Sequence, residues 1–345
     1  MSDRGSVASE FSWRPTPMAA LEQPEIPTEQ HFVRDHFPVP AVSPETWTLE
    51  IDGHAQRLLL DLERLRALPP RSLRVVLECA GHRRVELDPV PPGVPWACGA
   101  IGEARWTGTS LGPLLRASGV PEWAREVVLE GADSGPFEAF PGTHHFARSL
   151  PTNKALDRDV VLAYEMNGEP IAVERGGPVR VIVPGWYATD SVKWLTRVWF
   201  TREEFDGVFQ AHDYRLRTEG EPGPGKRMYE LPINTLITSP TDGDRLAAGE
   251  VTVRGIAWGG AGGVERVLVR VDDGPWRRAA LGPRRGTHAR VQWGLDLKVG
   301  TGSHELACRA VDREGGFQPE APPANVRGYA TNAVHRVRVE AGTLS

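Results

Sequence analysis

The segment TEGEPGPGKR (218–227) divides the chain into two halves of different texture, and that division constrains the fold more than any other feature. Glycine and proline crowd it, as they do at domain junctions. After it the pattern is all-β. EVTVRGIAW (250–258), VERVLVRVDDG (264–274), ARVQWGLDL (289–297), HELACRAVD (304–312) and AVHRVRVE (333–340) are strand-like runs split by turns, with the period of two that half-buried strands require. Asp273-Gly274 before Trp276 is a hairpin signal. These runs predict an all-β sandwich of immunoglobulin-like type over residues 231–345.

The first half is mixed. Residues 1–28 are polar and without period, which predicts an arm rather than a folded element. TWTLEIDG (46–53) reads as a strand and turn, and LLLDLERLRALPP (58–70) as a helix stopped by two prolines. RSLRVVLECAGHRR (71–84) reads as a buried strand opening into a small-residue turn. SLGPLLRASGV (110–120) predicts a short helix and EVVLEGAD (126–133) a strand. ARSLPTNKALDRDVVLAYEMNGEP (147–170) predicts a helix-like stretch, a strand and an Asn-Gly turn, and PVRVIVPG (178–185) another buried strand. Strands and short helices without regular alternation predict an α+β domain over 29–230 rather than a doubly wound sheet.

The chain has 345 residues, more than one compact core usually holds. Its formal charge, 40 − 45 = −5, argues against general nucleic-acid binding, which needs a basic surface. No apolar run is long enough for a membrane span. The N-terminus shows neither a signal-peptide core nor a twin-arginine pair, so a cytoplasmic protein is expected. The three cysteines, Cys79, Cys98 and Cys308, are too few and too far apart for a disulfide framework or a paired-cysteine zinc site. Without C-x-x-C-H, no covalent haem is expected, and any electron carrier must be another cofactor or another protein.

Chemistry concentrates in a few segments. Cys79 ends the strand of Leu73, Val75, Val76 and Leu77, with His82, Arg83 and Arg84 just beyond. Nearby cations favour the thiolate, the form that ligates metals, although a buried structural cysteine fits the same pattern. Cys308 alternates with Leu306 and Ala310 and reads as core. HFVRDHFPVP (31–40) places Arg34 and His36 in backbone stiffened by proline. Arg180 interrupts an apolar strand, Lys193 precedes Trp194, and Arg327 lies before the last strand. Each reads alternatively as a salt-bridged or solvated cation. Together they supply one thiolate candidate and several arginines, whose planar forks suit oxyanions. The residues by themselves stop at an anion site with a thiolate nearby and do not choose a metal.

HFVRDHFPVP, ECAGHRR, PWACGAIGEARWTGTSLGPLL, DVVLAYEMNGEP, GGPVRVIVPGWYATDSVKWLTR and ITSPTDGDRL–VTVRGIAWGG follow one another in this order. In this the chain resembles the sulfite oxidase family of mononuclear molybdenum enzymes, over roughly residues 28–342. The resemblance implies a catalytic domain holding molybdenum on a molybdopterin, then an immunoglobulin-like domain that makes a homodimer. It implies Cys79 as the metal ligand. It points to Phe32, Val33, Arg34, Asp35, His36, Asp133, Arg180, Ser191, Val192 and Lys193 around the pterin, and to Arg34, Arg84, Trp96 and Arg327 around the substrate. The implied reaction oxidises sulfite to sulfate, with electrons passing singly to an external acceptor such as a cytochrome or oxygen.

There are departures. His82 stands where the family usually has Asn. Counting back from ARSLP places the usual active-site tyrosine at Phe140. Arg175 stands where a histidine is usual, and still has the reach for a phosphate or pterin edge. No cytochrome-like domain is seen ahead of the core. Competing readings are a nitrate reductase-like or sulfane dehydrogenase-like enzyme on the same cofactor, and a catalytically silent anion-binding homologue.

Overall fold

A computed structural model describes residues 13–137, 140–322 and 325–343. The first half is built from two five-stranded sheets. One runs Glu169–Pro170, Val161–Met166, Ile101–Ser110, Pro70–Glu78, with Arg180–Ile182 also paired to Val161–Met166. The other runs Arg57–Asp61, Thr48–Asp52, Leu195–Thr201, Glu126–Phe137, Phe140–Pro151. Pairing is antiparallel except between Thr48–Asp52 and Leu195–Thr201.

Helices are sparser than expected, so the α+β reading is corrected to a mostly β domain with a few short helices. Within 58–70, Leu58 and Leu60 turn inward while Leu59 is 55% exposed. That is a strand's period, and Arg57–Asp61 pairs with Thr48–Asp52. Only Leu62–Arg66 is helical, started by the Asp61 carboxylate accepting from Arg64 N at 2.8 Å. In 147–155, cross-strand pairs such as Val127 with Leu150 claim the first residues for a strand, and the helix shrinks to Thr152–Ala155. The helix Leu111–Ser118 forms as expected. It buries Leu111, Leu114 and Leu115 and stops at Gly119, whose φ of 86° suits glycine.

The second half is two packed sheets. Asn234–Ser239, Gly249–Trp258, Val291–Val299 and Ala280–Leu281 form one. Arg245–Ala247, His335–Gly342, Gly302–Asp312, Val264–Val271 and Arg277–Arg278 form the other. Ile237, Val253 and Trp293 from the first meet Val267, Cys308 and Val337 from the second in one core. Cys308 is fully buried there, as its alternation predicts. Among the described residues no helix is long and apolar enough to cross a membrane.

The expected arm needs correction where it is described; residues 1–12 lie outside the described part. Trp13–Arg14 pairs with Val33–Arg34. Met18–Glu22 is helical, and Ala20, Leu21 and Ile26 are completely buried. The Arg290 guanidinium, from the second half, donates to the carbonyls of Leu21 and Gln23. The seam between the halves is polar and tightly bonded. Glu78 accepts from Trp258 Nε1 at 2.6 Å and from Asn234 at 3.3 Å, and Arg83 donates to the Ala333 carbonyl at 2.7 Å. Trp258, Ile256, Leu236 and Tyr329 share a core with the first half's sheets.

Candidate functional site

Cys79 lies one residue past Pro70–Glu78, its amide held by the Ala100 carbonyl at 2.9 Å. The loop then folds on itself: His82 N donates to Cys79 O at 3.0 Å and Arg84 N to Gly81 O at 3.1 Å. The small residue at 81 makes room for Arg84. A Cβ on Gly81 would sit 2.7 Å from the Arg84 guanidinium, and one on Gly93 2.6 Å from it. The turn therefore delivers Arg84 beside the thiol.

Two pockets meet at that thiol, sharing a wall of Arg34, His36, Cys79 and Tyr214. The inner one is a narrow cavity of about 80 Å³. Phe32, Val33, Asp133, Arg175, Arg180, Ser191 and Lys193 line it, together with His31, Trp106, Phe146 and Thr189. Its polar groups are incompletely satisfied. His31 Nε2, Trp106 Nε1, Asp133 Oδ1, Thr189 Oγ1 and Arg180 Nε are buried without a hydrogen-bond partner among the described residues. A group of such atoms converging on one cavity is costly unless a polar ligand meets them. A pterin edge, rich in donors and acceptors, fits that demand. Burial acts on the charges too. It pushes the Asp133 carboxyl up to about 7 and lowers Arg180 to about 9 and Arg175 to about 10. Lys193 falls to about 7, first by burial and then by the charge of Arg34. Arg175 and Arg180 have no carboxylate in ion-pair contact among the described residues, a lack that a phosphate would meet.

Other expected residues act behind the wall. Asp35 is buried and ion-paired with Lys193, fixing that ammonium between Asp35 and the Arg34 carbonyl. Val192 is core, its carbonyl accepting from Val181 N at 2.8 Å. Arg175 is on the wall, but donates to the carbonyls of His31 and Glu29 and so also pins the segment that carries Arg34.

The outer pocket holds Arg34, Arg84, Trp96 and Arg327, so all four expected substrate residues come together, one of them from the second half. Arg84 Nε donates to Arg327 O at 2.9 Å and Nη1 to Val94 O at 2.7 Å. This leaves Nη2 without a protein partner among the described residues. Arg327 is 43% exposed at the side chain, 3.8 Å from Asp213. Trp96 is buried edge-on to Trp13 and Phe32. The Cys79 thiol is pushed above its ordinary value, mainly by burial, against the pull of Arg34 and Arg84. The cations flanking it do not outweigh burial.

The departures take on a different meaning in three dimensions. Phe140 touches neither pocket; it packs on His212 with centroids 4.3 Å apart. The aromatic residue of that strand which does reach the inner pocket is Phe146, stacked 5.4 Å from His36. The site keeps phenols from elsewhere: Tyr214 on the shared wall and Tyr329 in the outer pocket. His82 is buried at the seam, edge-on to Trp258, with both ring nitrogens unpartnered among the described residues and its protonation suppressed by burial. His31, Trp106, Thr189, Phe146, Tyr214 and Tyr329 escaped the sequence reading. His31, Trp106 and Thr189 lie inside segments that drew attention, Phe146 and Tyr329 border such segments, and Tyr214 stands apart from them.

Elsewhere, Glu86, Cys98 and His335 bring ligand atoms within 4.8 Å of one another. His335 Nδ1 accepts from Ile237 N at 3.1 Å. The neutral ring therefore carries its proton on Nε2, facing the thiol, and has no lone pair there for a cation.

Residues 36–209 match the oxidoreductase molybdopterin binding domain, and residues 225–342 the Mo-co oxidoreductase dimerisation domain. The chain is 36% identical to the mitochondrial sulfite oxidase of Drosophila melanogaster over 96% of its own length and 62% of that protein's. It is 38% identical to the sulfite oxidase of Gallus gallus, over 94% of its length and 75% of that protein's. It thus spans less than two thirds of the mitochondrial enzymes it matches. The sulfane dehydrogenase SoxCD of Paracoccus pantotrophus superposes with a TM-score of 0.83 at 26% identity, covering 99% of this chain and 90% of that one. With a thiol between a polar pocket and an arginine pocket, and these matches along its length, the chain belongs to the sulfite oxidase family of molybdopterin-binding oxidoreductases.

Proposed function

We propose that this protein is a molybdopterin-dependent enzyme that oxidises sulfite to sulfate and passes the electrons to an external acceptor. One observation carries the reading: Cys79 stands where a pocket of unsatisfied polar groups meets a pocket of arginines. Cys79 ligates the metal. Arg180, Lys193 and Arg175 hold the phosphate-bearing end of the pterin, and Asp133, His31 and Trp106 meet its edges. Bound there, molybdenum supplies a two-electron acceptor. Sulfite and water give sulfate, two protons and two electrons. Arg34, Arg84 and Arg327 neutralise the dianion and orient its sulfur toward Cys79, because a bidentate fork fixes angle as well as charge. Trp96 and the apolar lining exclude bulk water, which strengthens each charge–charge contact.

We infer further that the C-terminal sandwich is of immunoglobulin type and joins two copies of the chain, that residues 29–230 and 231–345 are the working domains, and that the enzyme acts in the cytoplasm. Metal analysis of the purified protein beside sulfite-dependent ferricyanide reduction tests the central reading. Molybdenum near one per chain with turnover supports it. Molybdenum without turnover removes sulfite as substrate and leaves another oxyanion or sulfur compound on the same cofactor. Absence of molybdenum from protein made in a cofactor-competent host overturns the reading.

A further inference from the structure

The outer pocket is larger and more apolar than a bare sulfite needs. Its cavity of about 500 Å³ falls in the range that holds small organic molecules. Cys79 and Arg34 stand on the wall shared with the inner pocket, whereas Pro92, Val94, Pro136, Phe137 and Phe209 line the outer pocket alone. Pro92 and Pro136 are exposed and Phe137 is half-buried, so the apolar surface leads out toward the mouth. That surface is backed by packed rings. Phe137 meets Phe209 edge-on at 5.1 Å, and Phe209, completely buried, meets Phe37 in the same way at 5.5 Å. Sulfite is polar on every side and gains nothing from such walls. An apolar substituent sheds its water against them.

The charges suit a singly charged anion. Asp213 lies 3.8 Å from Arg327 and offsets part of the positive charge of the arginine cluster. Its carboxylate is held on that wall by the Tyr329 hydroxyl, which donates to it at 3.1 Å. Arg84 spends Nε and Nη1 on the Arg327 and Val94 carbonyls, which leaves Nη2 for a ligand. The bond to Val94 also ties this guanidinium to a residue of the apolar wall, so a charged head and an apolar group can be met side by side.

We propose that this pocket takes an organic sulfinate with a compact apolar or aromatic group and oxidises it to the sulfonate. This rests on the outer pocket being the oxyanion site of a molybdenum oxidoreductase. Replacing one sulfite oxygen by carbon keeps the sulfur lone pair that the reaction consumes and removes one negative charge. Sulfinate and water give sulfonate, two protons and two electrons. A sulfur–oxygen bond forms, both O–H bonds of the water break, and the electrons go on singly to the external acceptor. The sulfinate head meets Arg34 and Arg84, and the carbon group faces Phe137 and Pro92.

The test gives purified, cofactor-containing enzyme benzenesulfinate or sulfite as substrate, with ferricyanide as acceptor. Calorimetric titration with benzenesulfonate, methanesulfonate and sulfate reads binding without turnover. Benzenesulfinate should be oxidised. Benzenesulfonate should bind at least about tenfold more tightly than methanesulfonate, as added carbon does in a fitted hydrophobic pocket. Phe137→Ala should narrow that preference about tenfold, and Val94→Ser repeats the measurement should the first variant not fold. Equal affinity for the two sulfonates, no oxidation of benzenesulfinate, or a preference that neither variant narrows overturns the proposal. Where sulfite is still oxidised, that failure leaves the sulfite reading standing. If the enzyme holds no molybdenum, or binds neither sulfonate nor sulfate, the oxyanion reading of the pocket falls, and the sulfinate falls with it.

Discussion

At Cys79 a single sulfur faces both pockets, so its replacement separates folding from chemistry. Cys79→Ser alters one atom in a half-buried loop and is expected to leave the melting temperature near that of the native protein. Activity and bound molybdenum should be lost, because serine is a poor substitute for a soft thiolate. Full turnover in that variant would remove the residue from the site. Asp133 makes a prediction in pH. Its carboxyl ionises near 4 when unfolded and at about 7 when folded, because burial raises it. Below pH 4 both states are protonated and burial costs nothing. Between pH 4 and 7 only the unfolded state releases the proton, so stability falls as pH rises; above 7 the loss is constant. The melting temperature of cofactor-free Asp133→Asn, measured against the native chain, should therefore climb from pH 4 to 7 and then level off. A flat difference would show that Asp133 ionises freely in the fold.

Among the elements, legibility followed the reach of the interaction that decides each one. The strands of the second half were readable because alternation is local, and Val267 and Val269 point inward as the pattern requires. The helix Leu111–Ser118 was readable for the same reason. The stretch 58–70 was misread because its pairing partner, Thr48–Asp52, lies outside the window where helical spacing is judged. The site divides the same way. Cys79, Arg34 and Arg180 stand in recognisable words, whereas Tyr214 reaches His36 across 178 residues and nothing near it in the chain announces that contact. The N-terminal segment shows how burial overrides composition. It looks polar, yet Leu21 is completely enclosed. Leu21→Ala should lower stability by about 2–5 kcal/mol, the usual cost of a buried leucine, read from a denaturant midpoint. A change under about 0.5 kcal/mol would mean the segment is loosely attached in solution.

Across the whole molecule, the two halves share enough structure to behave as one cooperative unit. Trp258 and Tyr329 are packed into the first half's core, and Glu78, Arg83 and Arg84 are bonded across the seam. Calorimetry of the native chain should show one endotherm, whereas two independent domains would give two. Arg83→Ala, which removes a buried guanidinium bonded to Glu86 and Ala333, should broaden or split it. An unchanged single transition in that variant would move the coupling to the apolar contacts alone.

The placement of Arg290 also sets an order in time. The inner pocket is built wholly from residues before 215, but the outer one waits for Arg327 and Tyr329. The clasp on Leu21 and Gln23 waits for Arg290. A chain emerging from the ribosome N-terminus first can thus shape the inner pocket before the residues that complete the outer one exist. That clasp is therefore added only near the end of synthesis, to first-half contacts such as the pairing of Trp13–Arg14 with Val33–Arg34 that can form much earlier.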